Sequence, residues 1–284
     1  MRSVTDSTIV QTLEQMRSVG LDRLDAQLLL LHALGRPPHD RAWLVAHDAD
    51  KVSTSVSIGI EQLVKRRLNG EPMAYLTGHK EFFGMDLEVD ARVLVPRPDT
   101  ETLVEWALDI LSGRPSANVM DLGTGSGAIA LAIKKCRPEL RVQGVDCSAD
   151  ALTVARANAQ RHHLDVHFSP GSWLSDVAET FDLIVSNPPY IADKDPHLAA
   201  LVHEPQQALT SGADGLDAIR HIVAQTPGRL QPGGWLLLEH GYDQATSVRR
   251  LLAQASFLQL QSRKDLAGVE RCSGGQWHPT PQCT

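Results

Sequence analysis

Short apolar segments alternate with longer segments of helical periodicity from residue 117 to residue 254. The apolar segments, each of strand length, are 118–122, 142–145, 166–168, 183–186 and 235–239. The segments of helical periodicity are 127–135, 149–160, 215–225 and 244–254. Strands that alternate with helices form a mostly parallel sheet with helices on both faces, because each helix returns the chain to the same edge of the sheet. The sequence therefore predicts an α/β domain with a doubly wound sheet.

The first 70 residues have a different pattern. Apolar residues recur there at helical spacing, and the pattern is interrupted at Gly20 and at 35–38, which reads Gly-Arg-Pro-Pro. Asp22 is a predicted N-cap of the second helix. We therefore predict a small helical bundle that forms an N-terminal domain of residues 1–74.

Residues 75–97 are predicted to form a β-hairpin that links the two regions. Apolar side chains recur on both sides of Asp90–Ala91, which we predict as the turn. Pro96 and Pro98 end this segment, and Asp99 and Thr100 are candidate caps for the next helix. The α/β domain is then predicted to span residues 98–284.

Charge and cysteine content limit the possible functions. The chain has 27 Lys and Arg against 34 Asp and Glu, a net charge of −7, so we expect no direct nucleic-acid partner. The four cysteines form no Cys-X-X-Cys pair, and no segment approaches the ~18 consecutive apolar residues of a membrane span. The first 20 residues lack the apolar core of a secretion signal. We therefore expect a cytoplasmic protein without a membrane partner.

A glycine-rich turn follows the first strand of the α/β region and reads Asp121-Leu122-Gly123-Thr124-Gly125-Ser126-Gly127. Glycines let a ligand approach the backbone closely. The spacing differs from the Gly-X-Gly-X-X-Gly of dinucleotide sites, and the carboxylate of Asp121 disfavours a pyrophosphate but suits a cationic ligand such as S-adenosylmethionine. A tight turn without any ligand is the alternative.

Asp146 supports the cofactor interpretation. It ends the second strand of the α/β region, 19 residues after Gly127. An acid at this position can accept hydrogen bonds from both hydroxyls of a ribose. A capping role at the next helix is the alternative, but Ser148 and Asp150 already supply one. The glycine turn and Asp146 together predict a nucleoside cofactor.

The segment Asn187-Pro188-Pro189-Tyr190 follows a buried strand. Its two prolines remove two N–H donors and leave carbonyls to accept from a ligand. The Asn187 side chain adds an acceptor, and Tyr190 offers an aromatic face to a planar group. These groups can hold a planar –NH2 by both hydrogens and direct its nitrogen to a methyl donor. The pattern therefore indicates methylation of an amide or of an exocyclic amine.

Taken together, the sequence resembles the HemK/PrmC family, the glutamine methyltransferases of bacterial peptide chain release factors. The segments that carry the resemblance, besides the glycine turn and Asn-Pro-Pro-Tyr, are 72–78 (Pro-Met-Ala-Tyr-Leu-Thr-Gly), 81–84 (Glu-Phe-Phe-Gly), 95–101 (Val-Pro-Arg-Pro-Asp-Thr-Glu), 203–205 (His-Glu-Pro) and 212–216 (Gly-Ala-Asp-Gly-Leu). The resemblance implies a Rossmann-like class I methyltransferase fold and a class I release factor as substrate. The methyl acceptor would be the side-chain nitrogen of the glutamine in its Gly-Gly-Gln motif.

The resemblance also implies where the ligands bind. S-adenosylmethionine would be held by Gly123, Thr124, Gly125, Ser126, Gly127, Asp146, Trp173 and Asn187. Asn187, Pro188, Pro189 and Tyr190 would be both the catalytic and the substrate-binding residues, and the N-terminal helices would help to position the protein substrate. In one departure from the family, Ser172 stands before Trp173 where an acid is common, which places cofactor affinity in question.

Two other functions fit parts of this pattern. A nucleic acid adenine-N6 methyltransferase also presents an –NH2 to Asn-Pro-Pro-Tyr, and a protein with a vestigial cofactor fold would bind partners without catalysis. The chain contains its own Gly-Gly-Gln at 274–276, but we predict a final strand there and no modification of Gln276. His162, His163 and His167 are predicted to be surface residues, and no metal site is expected.

Overall fold

The computed structural model describes residues 7–279. Within them the chain divides into two compact units, and the boundary lies between Gly78 and His79. Across the described residues, no helix is both long enough and apolar enough to cross a membrane. Of the four cysteines, Cys136, Cys147 and Cys272 are free thiols, and Cys283 lies outside the described residues.

The first unit is helical, as the sequence predicts. Its helices are α1 (Ile9–Ser18), α2 (Arg23–Ala33), α3 (Arg41–Ala46), α4 (Thr54–Leu68) and α5 (Met73–Thr77). Their apolar faces form one core, in which Leu29, Leu30 and Leu31 are fully buried. Asp22 caps α2 as predicted, since its Oδ1 accepts from the backbone N–H of Asp25 at 2.8 Å.

The second unit begins with an antiparallel hairpin of β1 (His79–Phe82) and β2 (Met85–Glu88). The prediction of its turn at Asp90–Ala91 was wrong, because the chain turns at Phe83–Gly84. Both turn residues have positive φ, 49° and 69°, as two-residue hairpin turns prefer. The alternation of Phe82, Met85 and Leu87 continues across this turn, and all three side chains are buried in the core of the second unit.

A seven-stranded sheet forms the centre of the second unit. Its strands are β3 (Asn118–Leu122), β4 (Arg141–Asp146), β5 (His167–Pro170), β6 (Phe181–Ser186), β7 (Leu230–Glu239), β8 (Phe257–Lys264) and β9 (Glu270–Trp277). They lie in the order β5-β4-β3-β6-β7-β9-β8. The first five are parallel, and β9 is antiparallel to both β7 and β8. The predicted doubly wound sheet is confirmed.

Alternate residues of the central strands face two separate cores. Val119, Leu183 and Leu237 lie in one core, and Met120 and Ile184 lie in the other. Helices α6 (Glu101–Leu111), α7 (Ala128–Cys136) and α8 (Ala149–Arg161) pack on the first face, and α9 (Asp217–Gln225) and α10 (Ala245–Gln254) pack on the second. This two-sided burial explains why the strands are continuous apolar segments.

The Gly-Gly-Gln segment lies within β9, in agreement with the predicted final strand. A Cβ on Gly274 would lie 2.5 Å from Leu237 Cδ2, so the close approach of β7 requires a glycine there. The Gln276 amide donates to the Gly233 carbonyl at 2.8 Å and accepts from Gln259 Nε2 at 2.8 Å. This glutamine is therefore held in the sheet at both ends of its amide.

Candidate active site

A pocket lies at the carboxyl ends of β3, β4 and β6. The chain runs from β3 outward to β4 and β5, and it then crosses back to place β6 on the other side of β3. Ligands of open α/β sheets bind at such a reversal of strand order. Six of the residues predicted for binding line this pocket, namely Gly123, Gly125, Asp146, Trp173, Asn187 and Pro189. The other five lie in the glycine turn after β3 or in the Asn-Pro-Pro-Tyr loop after β6 but do not line the pocket; they are Thr124, Ser126, Gly127, Pro188 and Tyr190.

The glycine turn is held against the end of β4. The backbone N–H groups of Gly123 and Thr124 both donate to the Val145 carbonyl, at 2.8 and 3.0 Å. Gly123 has φ +68°, and a Cβ there would lie 3.3 Å from the Trp173 ring. At Gly127, φ is +83° and a Cβ would press on Leu131, at 3.1 Å. Gly123 thus keeps the pocket open, whereas Gly127 allows α7 to pack.

Asp121 lies beneath this turn and is completely buried. Its Oδ2 accepts from the Thr124 hydroxyl at 2.7 Å and from the Ala130 N–H at 3.3 Å, while Oδ1 has no hydrogen-bond partner in the described part of the chain. Burial raises the pKa of this carboxyl to about 7. A buried acceptor without a partner costs stability, so Asp121 favours a cation or another donor beside the turn.

Asp146 organises the other wall of the pocket. Its Oδ2 accepts from the Gly125 N–H and its Oδ1 from the Ser148 N–H, both at 2.9 Å. Each carboxylate oxygen keeps further lone pairs for a ligand. Trp173 follows in a left-handed conformation, with φ 54°, and the exposed Ser172 lines the pocket beside it.

Asn187 lies where β6 ends and carries the acceptor that the sequence predicts. Its Nδ2 donates to the Thr100 hydroxyl at 3.1 Å, and its buried Oδ1 has no hydrogen-bond partner within residues 7–279. Tyr190 donates its hydroxyl hydrogen to Glu239 Oε1 at 3.3 Å, and its own carbonyl accepts from Gln244 Nε2 at 3.0 Å. The loop is therefore fixed at both of its ends, and Asn187 Oδ1 is left to accept from a ligand.

Comparison with known proteins agrees with this geometry. The chain matches the family models "Methyltransferase small domain" over residues 100–256 and "PrmC N-terminal domain" over residues 8–78. It is 51% identical to the release factor glutamine methyltransferase of Bordetella pertussis, over 90% of this chain and 95% of that protein. The chain belongs to the release factor glutamine methyltransferase family. A Xylella fastidiosa protein of the same name is 47% identical, over 90% of this chain and 94% of its own.

Solved structures support the fold alone. A methyltransferase from Pyrococcus furiosus superposes with a TM-score of 0.52 at 20% identity, over 76% of this chain and 98% of that one. The resemblance stated from the sequence is therefore confirmed by relatives that span nearly the whole chain, and the protein is a methyltransferase.

Glu239, a buried acid at the end of β7, was not predicted as a site residue from the sequence. Burial raises its pKa to about 7, and the hydroxyls of Thr100 and Tyr190 oppose that rise. Its Oε2 has no hydrogen-bond partner among the residues that the structure describes. The sequence did contain a signal for it, because Glu239 lies at the end of an apolar strand, as Asp146 does and as Asp121 nearly does. Unlike Asp121, however, Glu239 is not followed by a glycine-rich turn.

The sequence also assigned Thr100 the wrong role. A short 3₁₀ turn, Pro98–Thr100, precedes α6, and the Thr100 side chain makes no capping hydrogen bond. Thr100 already has helical backbone angles, φ −64° and ψ −20°, whereas a capping residue has an extended backbone. Its hydroxyl instead accepts from Asn187.

An ion pair between a buried carboxylate and a partly exposed arginine supports the loop that precedes this turn. Glu204 is almost completely buried, pairs with Arg97 and accepts from the Val95 N–H at 3.1 Å. It comes from the His-Glu-Pro segment, and Pro205 beside it lines the pocket. The segments 95–101 and 203–205, which the sequence linked only through the family resemblance, therefore meet at one wall of the site.

Proposed function

We propose that the protein transfers a methyl group from S-adenosylmethionine to the side-chain amide nitrogen of the glutamine in the Gly-Gly-Gln motif of class I peptide chain release factors. The observation that carries this proposal is the buried, unpartnered Oδ1 of Asn187 in the pocket that also contains Gly123 and Asp146. The names of relatives that cover nearly the whole chain supply the substrate class.

The residues of the pocket fit S-adenosylmethionine, which when bound supplies an electrophilic methyl group on a sulfonium. Asp121 does not line the pocket itself, but its unpartnered oxygen lies beneath the glycine turn and favours a ligand with an ammonium group above that turn. The carboxylate of Asp146 can accept from two ribose hydroxyls, and Trp173 offers a flat apolar wall. Ser172 can accept one bond from an amino group, more weakly than a carboxylate would.

On the substrate side, Asn187 Oδ1 accepts one hydrogen of the glutamine –NH2. The Tyr190 carbonyl is already bonded to Gln244, so the second hydrogen is left to the backbone carbonyls ahead of Pro188 and Pro189. The amide nitrogen is a weak nucleophile because its lone pair is delocalised into the carbonyl. Holding both hydrogens out of the amide plane localises that lone pair and directs it to the methyl group.

Orientation supplies much of the rate enhancement. Holding two reactants in an aligned geometry is worth about 7–11 kcal/mol of the barrier. The nitrogen becomes strongly acidic once it is alkylated, so water suffices to take its proton. The mechanism therefore requires positioning by Asn187, Pro188, Pro189 and Tyr190, and it assigns no general base.

The proposal also gives a role to the helical unit and a location to the protein. The helical domain, predicted as residues 1–74, positions the release factor, and the segment 75–97 leads into the methyltransferase domain at 98–284. Because release factors act at the ribosome, the proposed substrate places the protein in the cytoplasm. It requires neither a membrane nor direct contact with nucleic acid.

Methyl transfer to two acceptors in parallel tests this function. The protein is incubated with tritiated S-adenosylmethionine and either an unmethylated release factor or double-stranded DNA. We expect label on the Gly-Gly-Gln peptide of the factor, and none on a factor whose glutamine is replaced by alanine. Label on DNA alone would contradict the proposal and favour an adenine methyltransferase.

A further inference from the structure

The side-chain amide of Asn187 has two ends of nearly the same shape, one a donor and one an acceptor. Only the oxygen end can accept from a substrate –NH2 group. In the structure, Nδ2 donates to the Thr100 hydroxyl at 3.1 Å and Oδ1 is the free end. A hydroxyl by itself does not select this orientation, because it can donate as well as accept.

Glu239 removes this ambiguity. The Glu239 carboxyl is buried at the end of β7, and among the described residues its Oε2 has no hydrogen-bond partner. The Thr100 hydroxyl, which accepts from Asn187, is close enough to lower the pKa of this carboxyl as a hydrogen-bond donor does. An ionised carboxylate only accepts hydrogen bonds. When the Thr100 hydroxyl donates its single hydrogen to Glu239, only its lone pairs remain for Asn187. The nitrogen of Asn187 turns to Thr100 and the oxygen turns away from it.

We propose that Glu239, acting through the Thr100 hydroxyl, is a positioning residue that holds the Asn187 amide with its oxygen toward the methyl-transfer site. The proposal rests on the function proposed above and adds a residue that the mechanism does not otherwise use. In this arrangement Glu239 contacts neither the substrate nor the cofactor, and it acts on Asn187 only through the Thr100 hydroxyl.

The groups around Glu239 decide how this orientation depends on pH. Burial raises the pKa of Glu239 to about 7, the hydroxyls of Thr100 and Tyr190 oppose this rise, Asp99 from the turn before α6 adds to it, and Arg271 from β9 lowers the pKa slightly. Tyr190 donates to Oε1, and the thiol of Cys272 on β9 lies near enough for its own pKa to be raised by Glu239. Below that pKa, the protonated carboxyl can donate to Thr100 and release the Thr100 hydrogen toward Asn187. The orientation is therefore lost as the pH falls.

Four variants of the full chain test the proposal by turnover. Glu239→Gln and Thr100→Val keep the side-chain shapes but remove the charge and the hydroxyl, and Thr100→Ser keeps the hydroxyl. Thr226→Val is the matched control, because Thr226 is also fully buried but bonds the Ile222 carbonyl at 2.7 Å, away from the pocket.

We expect Glu239→Gln and Thr100→Val to lower kcat by roughly tenfold, the equivalent of one net hydrogen bond, with an unchanged Kd for S-adenosylmethionine. Thr100→Ser should retain most of the turnover. The wild-type kcat should fall as the pH drops through about 7, and Glu239→Gln should lack this fall. Wild-type turnover and pH dependence in Glu239→Gln, or equal turnover in Thr100→Val and Thr100→Ser, would overturn the proposal.

A second measurement does not depend on the substrate. In protein labelled with ¹⁵N-asparagine, the side-chain –NH2 signal of Asn187 is assigned by its absence in Asn187→Ala. We expect this signal to shift with a midpoint near pH 7 in the wild type and to stay constant in Glu239→Gln and Thr100→Val. If the signal titrates but the protein does not methylate a release factor, the coupling between Glu239 and Asn187 is supported and the proposed function is refuted. A constant signal in the wild type would refute the coupling.

Discussion

Asn187 donates a side-chain amide hydrogen to the Thr100 hydroxyl across 3.1 Å. The bond joins the loop after β6 to the turn before α6, although 87 residues separate the two in the chain. It accounts for one end of the Asn187 amide and leaves Oδ1 as a buried acceptor that has no partner across residues 7–279. A buried acceptor in this state costs stability, and the pocket recovers that cost when a donor binds.

Replacement of Gly123 by alanine should weaken cofactor binding. The backbone has φ +68° there, and the new Cβ would lie 3.3 Å from the Trp173 ring, so the wall of the pocket must move. Gly113→Ala is the matched control, since Gly113 has φ +76° and no atom of the described residues lies within 4 Å of an added Cβ. We expect both variants to lose about 1–2 kcal/mol of stability. Calorimetry should show weaker S-adenosylmethionine binding in Gly123→Ala only, and equal affinities would contradict this account of the pocket.

Asp146→Asn should weaken cofactor binding without a matching loss of turnover at saturating cofactor. A hydrogen bond to a charged group is worth about 1.5–3 kcal/mol, so we expect Kd to rise by roughly 10–100-fold. Asp150→Asn, in the first turn of α8, removes a charge nearby and serves as the control. A normal Kd in Asp146→Asn would show that Asp146 only supports the Gly125 and Ser148 backbone.

The buried carboxyl of Asp121 should make the stability of the ligand-free protein depend on pH. Its pKa is raised from 3.8 to about 7 by burial, so between these values the folded protein holds a proton that the unfolded chain releases. Its contribution to stability is therefore lost as the pH rises through this range, by about 1.4 kcal/mol for each unit of pKa.

Denaturant unfolding of the wild type and of Asp121→Asn between pH 4.5 and 8 measures this loss. The stability of the variant relative to the wild type should increase with pH. Asp176→Asn, an exposed position, is the control and should run parallel to the wild type. A constant difference between Asp121→Asn and the wild type would mean that Asp121 does not titrate in this range.

The chain's own Gly-Gly-Gln should not become methylated. Gln276 is bonded at both ends of its amide within the sheet, so it cannot enter the pocket without breaking β9. We expect no added mass after incubation with S-adenosylmethionine alone, measured on the intact protein and on the peptide that contains Gln276. Addition of one methyl group at that residue would refute this.

The sheet and its helices were predicted closely from the sequence. Each central strand is buried on both faces and is therefore a continuous apolar segment, and glycines or capping residues mark the turns between strands and helices. Strand β3 was predicted at its observed bounds. The predicted position of the hairpin turn was wrong, because in the sequence alone Asp90–Ala91 is as typical of a turn as Phe83–Gly84 is. Only the cross-strand partners of Phe82 and Met85 distinguish them.

Local motifs marked both loops of the site, but the contacts between distant segments could not be read from the sequence. Thr100 looked like a helix cap because capping preferences are local, whereas its actual partner is 87 residues away. Glu239 carried no motif at all, and its importance follows from burial and from its place beside Tyr190. Such positions depend on tertiary packing, which spacing along the chain does not encode.

Methyl transfer by Asn187→Ala tests the central claim most directly. The variant is compared with the wild type for S-adenosylmethionine affinity and for single-turnover methylation of an unmethylated release factor. The account predicts that the cofactor still binds, while the rate of transfer falls by orders of magnitude because the amide of the substrate is no longer held. Near-normal transfer in Asn187→Ala would contradict the claim that this side chain positions the reacting nitrogen.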